Sequence, residues 1–231
     1  VQGFQWSGFS EYLTNEYLLW GAVTTIWLTA FAIAAGLALG CVLAFMRLSK
    51  RSFLSAPARG YIWIFRGTPL LVQLIIIFTG LPQLGIKLSV VQSALLGLAL
   101  NEAAYLAEII RAGILAVSKG QVNAGMAIGL TQAQVMRHVV MPQAFRIIIP
   151  PLGNSVNGLL KTTSVTSVIS MEELLRRTQI LIQEKFLVLE LFLVAALYYL
   201  AMTTVWELVQ RRLEARFGRG FDEALTDSDR R

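Results

Sequence analysis

Cysteine is almost absent: Cys41 stands alone, so no disulfide closes within the chain and no cysteine-based metal site is available. Histidine is equally scarce, with His138 the single residue, which excludes a His-rich metal cluster. Charge is thin as well. Charged residues make up 15% of the 231 positions, against about 25% in soluble domains. With 55% hydrophobic residues and a mean hydropathy of +0.61, the composition is that of a membrane protein. Residues 1–16 contain Glu11 and Glu16 but no positive charge. An uncharged run from Tyr17 to Met46 follows, too long for a signal-peptide core of about 7–15 residues, and it is expected to span the bilayer. Cys41 lies inside it and reads as a small packing residue. The net charge of +6 does not read as a nucleic-acid surface. Its basic residues sit in short segments beside apolar runs, and no basic face interleaved with aromatics appears.

A bilayer core takes about 20 helical residues. Five segments qualify: Leu18–Met46, Ala58–Thr79, Ser89–Ala112, Ile147–Ser170 and Phe186–Glu207. The second and fourth are weaker because they contain Arg66 and Lys161. Arg47, Lys50 and Arg51 follow the first span, Lys119 and Arg137 the third, and Arg211, Arg212, Arg216 and Arg219 the fifth. The positive-inside rule therefore predicts an external N-terminus and a cytoplasmic C-terminus. The expected organisation is an all-α membrane protein: an external segment 1–16, a five-helix transmembrane domain 17–216, and a cytoplasmic tail 217–231. The mixed charge of residues 172–185 suits the outer side. No internal repeat appears, which counts against folds built from two related halves. Five spans make a thin wall for a pathway, so at least a dimer is expected.

The loop 118–142, between the third and fourth spans, does not belong in a membrane. Two capping-box patterns, Ser118-x-x-Gln121 and Thr131-x-x-Gln134, predict two short helix starts. Gly129 is expected to end the first helix and Pro142 to limit the second. The residues alone leave open whether this loop lies on the lipid surface or docks a partner. A phosphate-binding loop is missing: Gly153-Asn154-Ser155-Val156-Asn157-Gly158-Leu159 has Leu where G-x-x-x-x-G-K-[ST] needs Lys. Without that loop, an activated nucleophile or a metal cluster, the chain is not expected to be an enzyme.

The loop resembles the EAA loop of ABC-transporter permeases, in the register Asn123-Ala124-Gly125, Gly129, Val139-Val140-Met141-Pro142. Asn123 stands where the family has Glu and Gly125 where it has Ala, so a charged contact to an ATPase is not carried over to Asn123. Phe65-Arg66-Gly67-Thr68-Pro69-Leu70-Leu71-Val72-Gln73, Asn101-Glu102-Ala103-Ala104-Tyr105, Pro142-Gln143-Ala144-Phe145-Arg146 and Pro150-Pro151-Leu152-Gly153-Asn154 resemble the polar amino-acid uptake subfamily. That resemblance runs from about Gly21 to Arg216. It implies a permease of a bacterial inner membrane working as a homo- or heterodimer. Two cytoplasmic P-loop ATPases, which bind the ATP and Mg, would dock on loops 118–142, and an external amino-acid-binding protein would deliver the solute. No cofactor or metal is expected in this chain. Gly120, Asn123, Ala124, Gly125, Gly129 and Pro142 are the expected coupling residues. An ion-coupled secondary transporter, or a membrane scaffold that docks a cytoplasmic partner, remain the alternatives.

Glu102 lies in the third span, where an ionised carboxylate needs a compensating partner. Glu108 and Arg111 are spaced i, i+3 and can pair. Glu102 has no such neighbour, and two readings stay open. It forms an ion pair with Lys161, or it faces a polar cavity and meets a positive group of the solute, which would tilt the substrate toward basic amino acids. Asn101, Glu102, Tyr105, Asn154 and Lys161 are the candidate substrate-binding residues. Arg66 either anchors its span at the interface or faces a solute carboxylate.

Overall fold

A computed structural model describes residues 4–218 of the chain, all of whose regular structure is helical. Beyond Gly218 the expected tail, 217–231, lies outside the described residues. A short helix, α1 (Trp6–Tyr12), precedes the long α2 (Glu16–Leu48). Asn15 starts α2 by accepting hydrogen bonds from the Tyr17 and Leu18 amides at 3.0 and 3.3 Å. At 1.5 Å per residue, its 33 residues reach about 50 Å, beyond a hydrocarbon core of about 30 Å.

The Ala58–Thr79 segment is not one straight span. Helix α3 (Ser52–Gly67) ends before Pro69, and α4 (Leu70–Ile75) continues through a wide turn (Ile76–Gly80) and a tight one (Leu81–Leu84). The two halves meet at 104°. Thr68 is extended, as the residue before proline must be (φ −121°, ψ 145°).

Helix α5 (Val90–Leu115) opens with a complete capping box between Ser89 and Gln92. It packs closely on α2 because both faces are small. A Cβ on Gly36 would lie 3.2 Å from Glu102 Cβ, and one on Gly40 would lie 3.1 Å from the Ala103 carbonyl oxygen. Small residues four apart let two membrane helices approach at backbone distance.

After α5 come α6 (Lys119–Ala127) and α7 (Gln132–Val135). Ser118 caps α6 through the Gly120 amide at 3.2 Å without the reciprocal bond from Gln121, whereas the Thr131–Gln134 box is complete. Gly129 closes α6 with φ +88°. Its amide bonds to the Met126 carbonyl and the Leu130 amide to the Gly125 carbonyl, the paired bonds of a Schellman turn.

Pro142 does not limit a second short helix. The chain runs from α7 through a wide turn (Met136–Val140) straight into α8 (Met141–Thr162). The Met141 amide reaches back five residues, to Met136, and this widening removes the clash a proline ring makes with a carbonyl four residues earlier. The same device precedes Pro82, where the Leu81 amide bonds to Ile76.

A 3-10 segment (Thr163–Ile169), α9 (Leu174–Lys185) and α10 (Val188–Gly218) complete the chain. Residues 174–185 are therefore helical, although their charge suggested a loop. Among the described residues three helices are long and apolar enough to cross a membrane, Glu16–Leu48, Val90–Leu115 and Val188–Arg216, with a fourth if the bent pair counts as one span. Helix α8 carries Arg146 and Lys161 and is not among them. One apolar cluster joins α2, α4, α5 and α8 around Leu28, Leu74, Leu98 and Leu159. A second joins the other ends of α2, α5 and α8 to the loop through Ala44, Ile110, Val135, Val140 and Ile148.

Candidate functional site

Glu102 sits in the middle of α5 with 7% of its surface exposed. Gly36 of α2 lies against its Cβ, and the Ser155 side chain of α8 is its polar neighbour. Among the described residues Oε1 has no hydrogen-bond partner, and the Oδ1 of Asn157 on α8 is likewise unpaired. Buried polar atoms are normally satisfied, so the orphaned Glu102 oxygen is a feature a ligand can use.

No ion pair links Glu102 to Lys161 among the described residues, and Lys161 is exposed. Helix phase explains this. Ser155 faces Glu102, and Lys161 is six residues further along, so at about 100° per residue it points about 120° away.

Tyr105 is 41% exposed, with the Arg66 guanidinium 5.3 Å above its ring. Asn154 is exposed and accepts a bond from Gln210 Nε2 at 3.2 Å. Asn101 gives its amide hydrogens to the Phe65 carbonyl (3.3 Å) and to Gln73 Oε1 (2.9 Å). The structure thus brings Glu102 together with Ser155 and leaves Asn101 bound to the broken helix. Glu108 does pair with Arg111, at 2.8 Å, and Arg47 approaches it at 3.9 Å.

Sequence reasoning passed over Gly36, Ser155 and Asn157, and no linear spacing relates them to Glu102. It also passed over Gln73, although an amide inside an apolar run was the available signal. Glu173, in the mixed-charge stretch 172–185, is fully buried at the start of α9. It accepts bonds from the Arg176 amide (2.8 Å), the Tyr199 hydroxyl (2.8 Å) and the Thr25 hydroxyl (3.5 Å). Burial pushes its carboxyl above the usual carboxylate range, while these donors and the Leu175 amide pull it back in part.

An apolar hollow of about 480 Å³ lies between α2, α8 and α10, lined among others by Ile26, Ile33, Leu160, Val205 and Trp206. Its walls offer almost no hydrogen-bonding groups, so it does not suit a polar solute.

In the loop, Gly120, Asn123, Ala124, Gly129 and Pro142 are exposed and Gly125 is buried. Gly125 faces Val135: a Cβ there would lie 3.0 Å from the valine methyl. The exposed face of α6 mixes Lys119, Gln121 and Asn123 with Gly120, Ala124 and Met126, and ends in Ile128, 78% exposed.

Three likenesses bear on this geometry. The chain is 39% identical to the arginine transport system permease protein ArgU of Corynebacterium glutamicum over 241 residues, covering 97% of this chain and 76% of that protein. It is 35% identical over 225 residues to the probable amino-acid ABC transporter permease protein YckA of Bacillus subtilis, covering 94% and 98%. A crystal structure of an amino acid ABC transporter with histidines superposes with a TM-score of 0.88 at 35% identity, over 93% of this chain and 100% of that one. Residues 36–219 match the model of the binding-protein-dependent transport system inner membrane component, and the chain belongs to that family.

Proposed function

We propose that this chain is the permease through which an ABC importer carries polar amino acids, basic ones included, across a bacterial inner membrane. In that family ATP is hydrolysed by a separate subunit, and the permease itself is not an enzyme. Five spans form the pathway: α2, the broken α3–α4 segment, α5, α8 and α10, with the N-terminal segment 1–16 outside and the tail 217–231 in the cytoplasm. Two permease subunits, alike or different, pair across the membrane. Residues 118–142 dock the ATPase dimer, which holds ATP and Mg, and an external binding protein delivers the solute.

Glu102, Tyr105, Asn154 and Lys161 contribute to the solute site, joined by Ser155, while Asn101 shapes its wall. Gly120, Asn123 and Ala124 present the docking face of α6, with Gly125, Gly129 and Pro142 fixing its packing and its turns. The observation that carries the reading is the buried Glu102 carboxylate oxygen left without a partner. A charge in that position is costly unless something positive meets it, and an α-amino group or a basic side chain does so.

The test is uptake of radiolabelled L-arginine and L-glutamine by the transporter carrying Glu102→Gln. Loss of a charge-assisted contact should cut the preference for arginine by about tenfold or more. An unchanged preference would remove Glu102 from the solute site. Vanadate-insensitive uptake by the permease alone would favour an ion-coupled transporter instead.

A further inference from the structure

The break between α3 and α4 exposes backbone groups within an apolar segment. The last carbonyls of α3 have no helical partners, and a membrane interior offers no water to replace them. Side chains take that role. Thr68 Oγ1 donates to the Ile64 carbonyl at 2.8 Å. Gln73 Nε2 reaches the Phe65 carbonyl at 2.9 Å, the Thr68 carbonyl at 3.1 Å and Thr68 Oγ1 at 2.8 Å. Gln73 Oε1 in turn accepts from Asn101 Nδ2 at 2.9 Å, and the same nitrogen lies 3.3 Å from the Phe65 carbonyl.

The chain of donation runs one way, from Asn101 to Gln73 to the break. A carboxylate at either position lacks the N–H groups it needs. Packing reinforces it: Leu74 fills the notch at Gly97, where a Cβ would lie 2.6 Å from its methyl. Tyr61 ties α3 to α5 through the Leu100 carbonyl at 2.7 Å. Arg66 directly follows the clamped Phe65 and lies over Tyr105, one turn along α5 from Asn101.

We infer that Gln73 and Asn101 are positioning residues for transport: their amide pair locks the bend between α3 and α4, and so holds Arg66 over Tyr105 beside the solute site without touching the solute. The transport role rests on the permease reading above; the lock itself does not. It also gives Gln73 of the Phe65–Gln73 stretch a physical task, since a bend of 104° needs a donor at that point.

The experiment uses the full transporter in proteoliposomes, with Cys41→Ala as background. Spin labels go on Trp63→Cys and Leu84→Cys, positions 77% exposed on either side of the bend. The variants Gln73→Glu and Asn101→Asp keep shape and remove the N–H donors. Each should broaden the label-to-label distance distribution and raise KM for L-arginine or L-glutamine by about tenfold, with Vmax less affected. The double variant should be no worse than either single one, because both cut the same chain of bonds.

A raised KM with an unchanged distance distribution would overturn the inference, since the amides would then be touching the solute. Strictly additive losses, or wild-type distances and uptake, would overturn it as well. If the amide variants fail to assemble, Thr68→Val, which removes one hydroxyl and leaves both carbonyls, should broaden the distances partially. Wild-type behaviour of Thr68→Val in both readouts then refutes the lock. If the wild type takes up neither probe, the solute class proposed above fails while the distances still decide the lock.

Discussion

Replacing Gly129 with alanine should loosen the end of α6 by an amount set by backbone conformation alone. Its φ of +88° lies in the left-handed region, where an L-residue costs about 1–2 kcal/mol more than glycine. A Cβ built there has nothing within 4 Å, so side-chain volume adds no cost. Alanine and leucine should therefore destabilise the turn equally, and asparagine, which tolerates that region, should recover much of the loss. A cost of 1–2 kcal/mol is about a 5–30-fold shift in the closed-to-open ratio. Hydrogen exchange of the transporter in detergent reads that shift directly. The Gly129 and Leu130 amides, bonded to Met126 and Gly125, should exchange about 5–30-fold faster in Gly129→Ala and Gly129→Leu. Solute-stimulated ATP hydrolysis should fall in the same order, because α6 is the proposed docking helix. Leucine far worse than alanine would mean that volume matters at this position. Asparagine no better than alanine would mean that the left-handed turn does not set the cost. Either result refutes the reasoning.

Two further substitutions probe packing and charge. Gly113→Ala puts a Cβ 2.3 Å from Ile148 Cγ1, and such overpacking should cost about 1–3 kcal/mol. Thermal unfolding in detergent should show the loss, and Ile148→Ala in the same chain should recover much of it. The buried Glu173 carboxyl has a folded-state pKa above its ordinary value. The fold is therefore best served at and below the usual carboxylate range, and it loses stability as pH rises from there through the raised value. Glu173→Gln should flatten the fall of melting temperature as pH rises above the usual carboxylate range; an unchanged slope would assign the pH dependence elsewhere.

What could be read from the chain differs in kind from what could not. The Thr131–Gln134 box and the Gly129 turn are local, decided by residues within four positions, and they form as the pattern implies. Pro142 was misread because the rule that proline ends a helix assumes a four-residue backbone step. A wide turn relaxes that step, and α7 runs on into α8. The bend at Gly67-Thr68-Pro69 was visible as three non-helical signals in a row, but an average over about 20 residues hides a break of two.

The Glu102–Lys161 pair shows the remaining gap most clearly. An expected similarity of depth made them partners, but Glu102 lies 13 residues from the Leu115 end of α5 and Lys161 20 residues from the Met141 end of α8. Pairing also requires rotation, and rotation about α8 is decided by which of its faces packs against α2 and α5. On α8 that choice is made by Ile148 in the notch at Gly113 and by the Ala144 carbonyl beside it, contacts that no single segment encodes. Once Ser155 is turned toward Glu102, Lys161 is turned away by helix geometry, and no ion pair to the carboxylate forms among the described residues. The same packing that denies Glu102 an internal ion pair is what the proposed solute site rests on.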